Sequence, residues 1–483
     1  MKNAPRLLRY RDTACFPREL FSDLQLDKIL SAHAVSILQK PCETAEAVRR
    51  NELFEMLENR AFLERVENLR SVLTSLARGL QLLRDAKILL DRYHRYAEVL
   101  SLYVESCEML ASMDDVGSLF ADVANAYSTE EEKTSLANVK KTAQKIRQLL
   151  EEVHTGLLSF SDKCWLTPDC DAVGEFDRIC FCASSLGFSV PQKKRQNAKI
   201  NIAFSDAMCH LHANAVDEIE TEMARLADVD LSAPVVYLDE IKFYLEIHSL
   251  TKRAQEIGVP HVFAKVAKAP QYIARDLYDI SLLAKKCECI VPNDVELGNK
   301  DPFCFLLGAN GGGKTTYLRA LGINLLLFLG GCPVFAERAE LYPFDRVFAH
   351  FPKDERFESV GRLEEERQRV AKMLVDSQNQ AVFLLFNETF SGTDETRGFD
   401  MLKNTAEQIA RNGHFGVFVT HFHEVMSLDF PVLSAEVDLS DKNRRTYRIV
   451  RAKGATSSYA ADILKKYGLD RESLLARRHG NEN

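Results

Sequence analysis

The sequence predicts two regions of different class. Residues 1–285 read as an all-α core and lever domain with a small clamp-like β tip at about 172–204, residues 286–475 read as a mainly parallel α/β domain, and 476–483 as a tail. Three observations carry this. Apolar residues recur every three or four positions through most of the first region, short apolar strands alternate with helical stretches in the second, and a glycine-rich turn joins one strand to the helix after it.

The helical region is clearest from Ser128, where Leu136, Val139, Ala143, Ile146, Leu150, Val153 and Leu157 follow the helical period. Thr129-Glu130-Glu131-Glu132 loads its first turn with acid, which suits the positive end of a helix dipole. At 1.5 Å per residue such a helix is about 45 Å long, the dimension of an arm. Met208, Leu211, Ala215, Ile219, Met223 and Leu226 mark a second helix, and a third runs from about Val235 to Ile257. Between the outgoing and returning helices lie two β-like runs, Phe176 to Cys182 and Ile200 to Phe204. Gly187, Pro191 and the basic cluster Lys193-Lys194-Arg195 join them, so the tip carries a basic loop that is either a nucleic-acid contact or an ordinary solvated loop.

After Ala284 the clearest strands are Phe303 to Leu307, Val382 to Phe386 and Gly416 to Thr420, and alternation with helices implies a parallel sheet covered on both faces. The 483 residues allow two to four domains at roughly 100–200 residues each. Apolar residues at 46% and charged residues at 27% exclude disorder over most of the chain, and Gly 22 with Pro 14 favours long helices. A net charge of -8 has the wrong sign for nucleic-acid binding through overall charge, so any such contact is a local patch. The 12 cysteines contain no C-x-x-C pair and read as reduced, mostly buried thiols of a cytoplasmic protein. MKNAPRLLRYRDTACF lacks the apolar run of a secretory signal. Ala320 to Ala336, broken by Asn324, Gly330, Gly331 and Pro333, is too short to span a bilayer and reads as a buried helix, so no membrane is expected.

The strongest motif is Gly308-Ala309-Asn310-Gly311-Gly312-Gly313-Lys314-Thr315-Thr316, which satisfies G-x-x-x-x-G-K-[ST] directly after a strand and before a helix. In such a loop backbone N–H groups close round phosphates, Lys314 reaches the β/γ-phosphates, and the Thr315 hydroxyl ligates Mg²⁺. ATP and Mg²⁺ are the expected ligands. Downstream, the strand Val382 to Phe386 ends in Asn387-Glu388, where a carboxylate can orient the attacking water, so Glu388 is the candidate catalytic group. Asn387 stands where aspartate is usual and reaches the magnesium site without a charge. His421, at the end of Val417-Phe418-Val419-Thr420, is placed to report the γ-phosphate.

Together these residues resemble the ATPase domain of the MutS family, a branch of the ABC-type P-loop NTPases. GANGGGKTTYLR from Gly308 to Arg319 is similar to the family's GPNMGGKSTY, and VTHFHEV from Val419 to Val425 to its ATHYHEL-like switch. Val291-Pro292-Asn293-Asp294 resembles the approach to the nucleotide, and Ser457-Ser458-Tyr459 with Leu464 to Leu469 the closing helix. The resemblance places Ile290 where the family often stacks an aromatic residue on adenine, and Ser359, followed by Glu364, where a signature caps the partner subunit's γ-phosphate. It also implies an ATP-driven homodimeric clamp on DNA. Because lever-like sequence starts by about residue 40, the mismatch reader and connector domains of the family are not expected, nor is a Smr-type nuclease domain. Branched or structured DNA is therefore the expected target, and structured RNA or the ribosome the alternative. A chromosome-organising ATPase inserts its arm between the P-loop and the carboxylate, and a transporter ATPase carries an LSGGQ-like segment. This sequence does neither.

Overall fold

The computed structural model describes residues 5–11, 15–113, 117–154, 165–166, 172–173, 209–210, 212–285, 287, 290–351, 362–375, 380–390, 395–437 and 445–452. The chain divides into two compact units, one of Met1–Leu8 with Glu55–Tyr244 and one of Arg9–Phe54 with Leu245–Asn483. Short helices α1 (Arg18–Asp23), α2 (Ala32–Leu38) and α3 (Thr44–Leu57) come first in the chain.

The unit containing 55–244 is built from α4 (Arg60–Asp85), α5 (Leu89–Ala111), α6 (Gly117–Tyr127), α7 (Glu130–His154) and α8 (Ala213–Arg225), with α9 (Val236–Glu256) beginning in it. The Asn59 carboxamide starts α4 by accepting from the Ala61 and Phe62 N–H groups, satisfying two donors that the helix cannot. Phe62, Val66, Leu69, Leu73 and Leu76 then form its buried stripe. α7 is capped by the Thr129 hydroxyl, which accepts from Glu132 N–H. It buries Val139, Ala143, Ile146, Leu150 and Val153 as their spacing predicts and is roughly 37 Å long. In α8 the apolar pattern is interrupted by Glu222, a buried carboxylate paired with Lys145 at 3.0 Å and Arg225 at 2.6 Å. Strand β1 (Trp165–Leu166) pairs antiparallel with β2 (Ala172–Val173). The expected tip strands 176–182 and 200–204 and the cluster 193–195 lie outside the described residues.

The unit containing 245–483 holds two sheets. A four-stranded sheet has the order β3 (Lys265–Val266), β7 (Arg338–Leu341), β4 (Tyr272–Leu277), β5 (Asn293–Leu297). Strands β3 and β4 fall where the sequence reads as helical. β4 is only six residues long, and a bulge between Ala274 and Leu277, with Asp276 at φ 48, breaks the alternation that marks a strand. The larger sheet has the order β12 (Arg445–Arg451), β11 (Val432–Val437), β6 (Phe303–Leu307), β10 (Phe415–Val419), β9 (Val382–Asn387), β8 (Arg346–His350). It is parallel from β11 to β8, with β12 antiparallel at its edge. The three strands read from the sequence are its centre, and all five residues of both β6 and β10 are buried.

Helix α10 (Lys314–Leu329) follows β6 and is buried nearly all round. A Cβ at Gly322 would lie 2.6 Å from a Leu24 methyl and 2.8 Å from a Leu385 methyl, so only glycine lets α10 approach β9 this closely. The helix ends at Leu329 rather than continuing to Ala336, because Gly330, Gly331 and Pro333 stop it. Helices α11 (Arg362–Val375) and α12 (Glu395–Arg411) connect β8 to β9 and β9 to β10, and their Val370, Met373, Leu374, Leu402, Ala406 and Ile409 pack on the sheet. Cys42, Cys107, Cys209, Cys304 and Cys332 are buried free thiols, and burial pushes Cys107 and Cys304 up to about 12. No helix among the described residues is long and apolar enough to cross a membrane.

Candidate nucleotide site

Parallel register brings three strand ends to one edge of the large sheet: Val419 lies opposite Leu306 on one side and Asn387 on the other. Ligands of open α/β sheets bind outside the carboxyl ends of strands, and the glycine-rich loop, Glu388 and His421 all leave from that edge. The loop turns tightly, with Gly312 N–H donating to Ala309 O at 3.0 Å. Gly313 caps α10 at φ 92, a conformation that a side chain would strain.

Lys314 is only 5% exposed. Its ammonium donates to Gly308 O at 2.7 Å, Ala309 O at 3.2 Å and Asn310 Oδ1 at 3.4 Å, and lies 3.7 Å from Glu388 Oε1. Burial pushes its pKa down from the ordinary lysine value, and the Glu388 carboxylate opposes that. A cation held this way, inside a loop whose oxygens it borrows, is matched to an anion. Thr315 Oγ1 donates to Asn387 Oδ1 at 3.3 Å, so the two oxygens that suit a hard divalent cation already face each other. The Glu388 side chain is 35% exposed, its N–H donates to Val419 O at 2.9 Å, and its backbone is left-handed at φ 51. Strain of that kind costs about 1–3 kcal/mol and persists only where neighbours enforce it.

The structure therefore brings Lys314, Thr315, Asn387 and Glu388 together. His421 is exposed on the same edge, its ring 4.4 Å from that of Phe422, and Thr420 N–H donates to Leu306 O, tying the exit of β10 to that of β6. Ile290 is 5% exposed and buried, so it offers little surface to a base. Ser359 lies outside the described residues, as do 457–459 and 464–469.

Tyr447 lies beside the loop without any signal in the sequence. This residue of β12 is 48% exposed and left-handed at φ 57, and a Cβ built on Gly313 would lie 3.5 Å from its ring. Asn293 fixes it there, donating to Tyr447 O at 3.1 Å and accepting from Ile449 N–H at 2.6 Å. Asn293 stands in the segment whose resemblance drew attention to it. Its partner, 154 positions away, had no local signal.

The family description MutS domain V matches residues 304–476. A DNA mismatch repair protein MutS of Fusobacterium nucleatum is 26% identical over 49% of this chain and 28% of its own length. An Endonuclease MutS2 of Shouchella clausii is 28% identical over 38% of this chain and 24% of its own. The DNA mismatch repair protein msh-2 of Neurospora crassa is 33% identical over 29% of this chain and 15% of its own. The matches thus span less than a third of the length of these relatives. The matched region begins at the strand, loop and helix that hold Lys314, and residues 304–476 are similar to domain V of the MutS family.

Proposed function

We propose that this chain is an ATP-dependent DNA-binding ATPase that works as a homodimeric clamp. The observation that carries the reading is the convergence of Lys314, Thr315, Asn387 and Glu388 at one sheet edge, with Lys314 5% exposed and 3.7 Å from Glu388. Lys314 and the loop Gly308 to Thr316 bind the phosphates. The Glu388 carboxylate holds a water for attack on the γ-phosphorus and accepts its proton. His421 stands at the γ-phosphate end, and Ser359 of the partner subunit closes over it. Thr315 and Asn387 would hold Mg²⁺, which when bound neutralises phosphate charge.

Asn387 contributes an oxygen but no charge, so Asn387→Asp is expected to raise the steady-state ATP turnover at limiting Mg²⁺, with the Mg²⁺ requirement shifting to lower concentration. An unchanged or slower rate means that the metal is held by other groups.

DNA enters because relatives are named for DNA mismatch repair. We place the contact at Lys193, Lys194 and Arg195, and branched or structured DNA before single mispairs, because cations on phosphates set position and carry no sequence information. The test is an electrophoretic panel of matched duplex, mispaired duplex, four-way junction and structured RNA, with and without ATP and across salt. The junction is expected to bind tightest and both duplexes equally. Charge reversal at the three positions should weaken binding and flatten its salt dependence by about 0.9 per phosphate lost, with ATP affinity unchanged. Strong preference for the mispaired duplex, or for RNA, sinks the assignment.

A further inference from the structure

The turn after β9 has a conformation that its own sequence does not favour. Glu388 and Phe390 are both left-handed, at φ 51 and φ 68, and neither is glycine. Thr389 between them is 1% exposed. Three hydrogen bonds from three different elements hold these three residues. Glu388 N–H donates to Val419 O at the end of β10, at 2.9 Å. The Thr389 hydroxyl is 2.9 Å from Nδ1 of His350, the last residue of β8, itself 3% exposed. Phe390 N–H donates to Glu366 Oε2 of α11 at 3.1 Å, and Glu366 is 8% exposed. The Phe390 ring is buried with Val370, Met373 and Leu374, which anchors the turn from below.

The backbone bond to Val419 O is indifferent to side chains, whereas the other two are specific. A buried hydroxyl and a buried imidazole at 2.9 Å satisfy each other, and removing either leaves a polar atom without water to replace its partner. A right-handed turn would carry the Glu388 side chain in another direction, because φ sets where Cβ points. We propose that His350 and Thr389 are a positioning pair which, together with Glu366, holds Glu388 left-handed and thereby aims its carboxylate at the Lys314 site. The pair touches no nucleotide. It acts through the backbone of Glu388, and it rests on the reading of Glu388 as the hydrolytic group.

The test uses the full chain with MgATP. Thr389→Val keeps the volume and deletes the hydroxyl, and should lower kcat by on the order of 10–100-fold, the range that small misplacement of a catalytic group costs, with nucleotide Kd unchanged. Thr389→Ser restores the hydroxyl and should recover most of the rate. His350→Asn, whose Nδ2 replaces Nδ1, should stay near wild type, whereas His350→Phe should fall with Thr389→Val. Wild-type turnover in Thr389→Val or His350→Phe overturns the proposal. So does a Thr389→Val chain that loses nucleotide binding in proportion to rate, since that is collapse of the site rather than misaim. Should Thr389→Val fail to fold, the His350→Asn and His350→Phe pair decides alone. Glu388→Gln separates the two levels: if it turns over ATP like wild type the hydrolytic reading fails, and if it is slow while Thr389→Val is fast only the positioning pair fails.

Discussion

Lys314→Ala is expected to abolish ATP binding at concentrations that saturate the wild-type chain. The ammonium is 5% exposed and its three hydrogen-bond acceptors are loop oxygens, Gly308 O, Ala309 O and Asn310 Oδ1. Truncating one side of a buried charge pair costs about 2–5 kcal/mol, much of it from leaving the other charge unpaired. That is roughly 30-fold to several thousand-fold in Kd. Linkage gives a second readout. ATP at about 100 times Kd stabilises a folded chain by about 2.7 kcal/mol, and a 30-fold loss of affinity cuts this to under about 1 kcal/mol, so the ATP-induced rise in Tm should nearly vanish. The nucleotide-free chain is expected to keep its fold, because burial already disfavours the charged ammonium there. Nucleotide titration and thermal melts check both halves. Affinity within a few-fold of wild type would show that phosphates bind elsewhere.

Glu388→Gln is expected to separate binding from hydrolysis. Glutamine matches glutamate in shape and keeps the N–H that donates to Val419 O, so the left-handed turn has no reason to change. What is lost is the proton acceptor, worth about 10²–10⁴ in rate for a positioned general base. Affinity should hold or tighten, because the carboxylate 3.7 Å from Lys314 competes with phosphate for the same cation. With hydrolysis stopped, ATP should accumulate on a closed dimer, visible as a larger species by light scattering in the presence of MgATP and absent in Lys314→Ala. Single-turnover phosphate release measures the rate. Equal turnover in the variant and wild type removes Glu388 from the chemistry.

The loop and its flanking elements were legible because each signal is local. Phe303 to Leu307, the glycines and Lys314 are contiguous, and β6 and α10 form there with the expected boundaries on the loop side. The apolar period in α7 survives in its buried face from Val139 to Val153. Strand β4 was not legible, since a bulge at Asp276 destroys the alternation that would announce it. Resemblance places Ile290 against the base, and the fold buries it.

By itself the sequence determined the class of the second unit, the glycine-rich loop between β6 and α10 and the order of the three strands along the chain, because hydrophobic period and motif spacing act over a few residues. Only the tertiary structure decided which distant residues meet. His350 and Thr389 are 39 positions apart and Asn293 and Tyr447 are 154 apart, joined because β8 lies beside β9 and the β12 hairpin returns beside the loop. The left-handed backbone at Glu388 belongs to the same class. Glutamate has no preference for that conformation, so it exists only where β8, β10 and α11 hold the turn from outside.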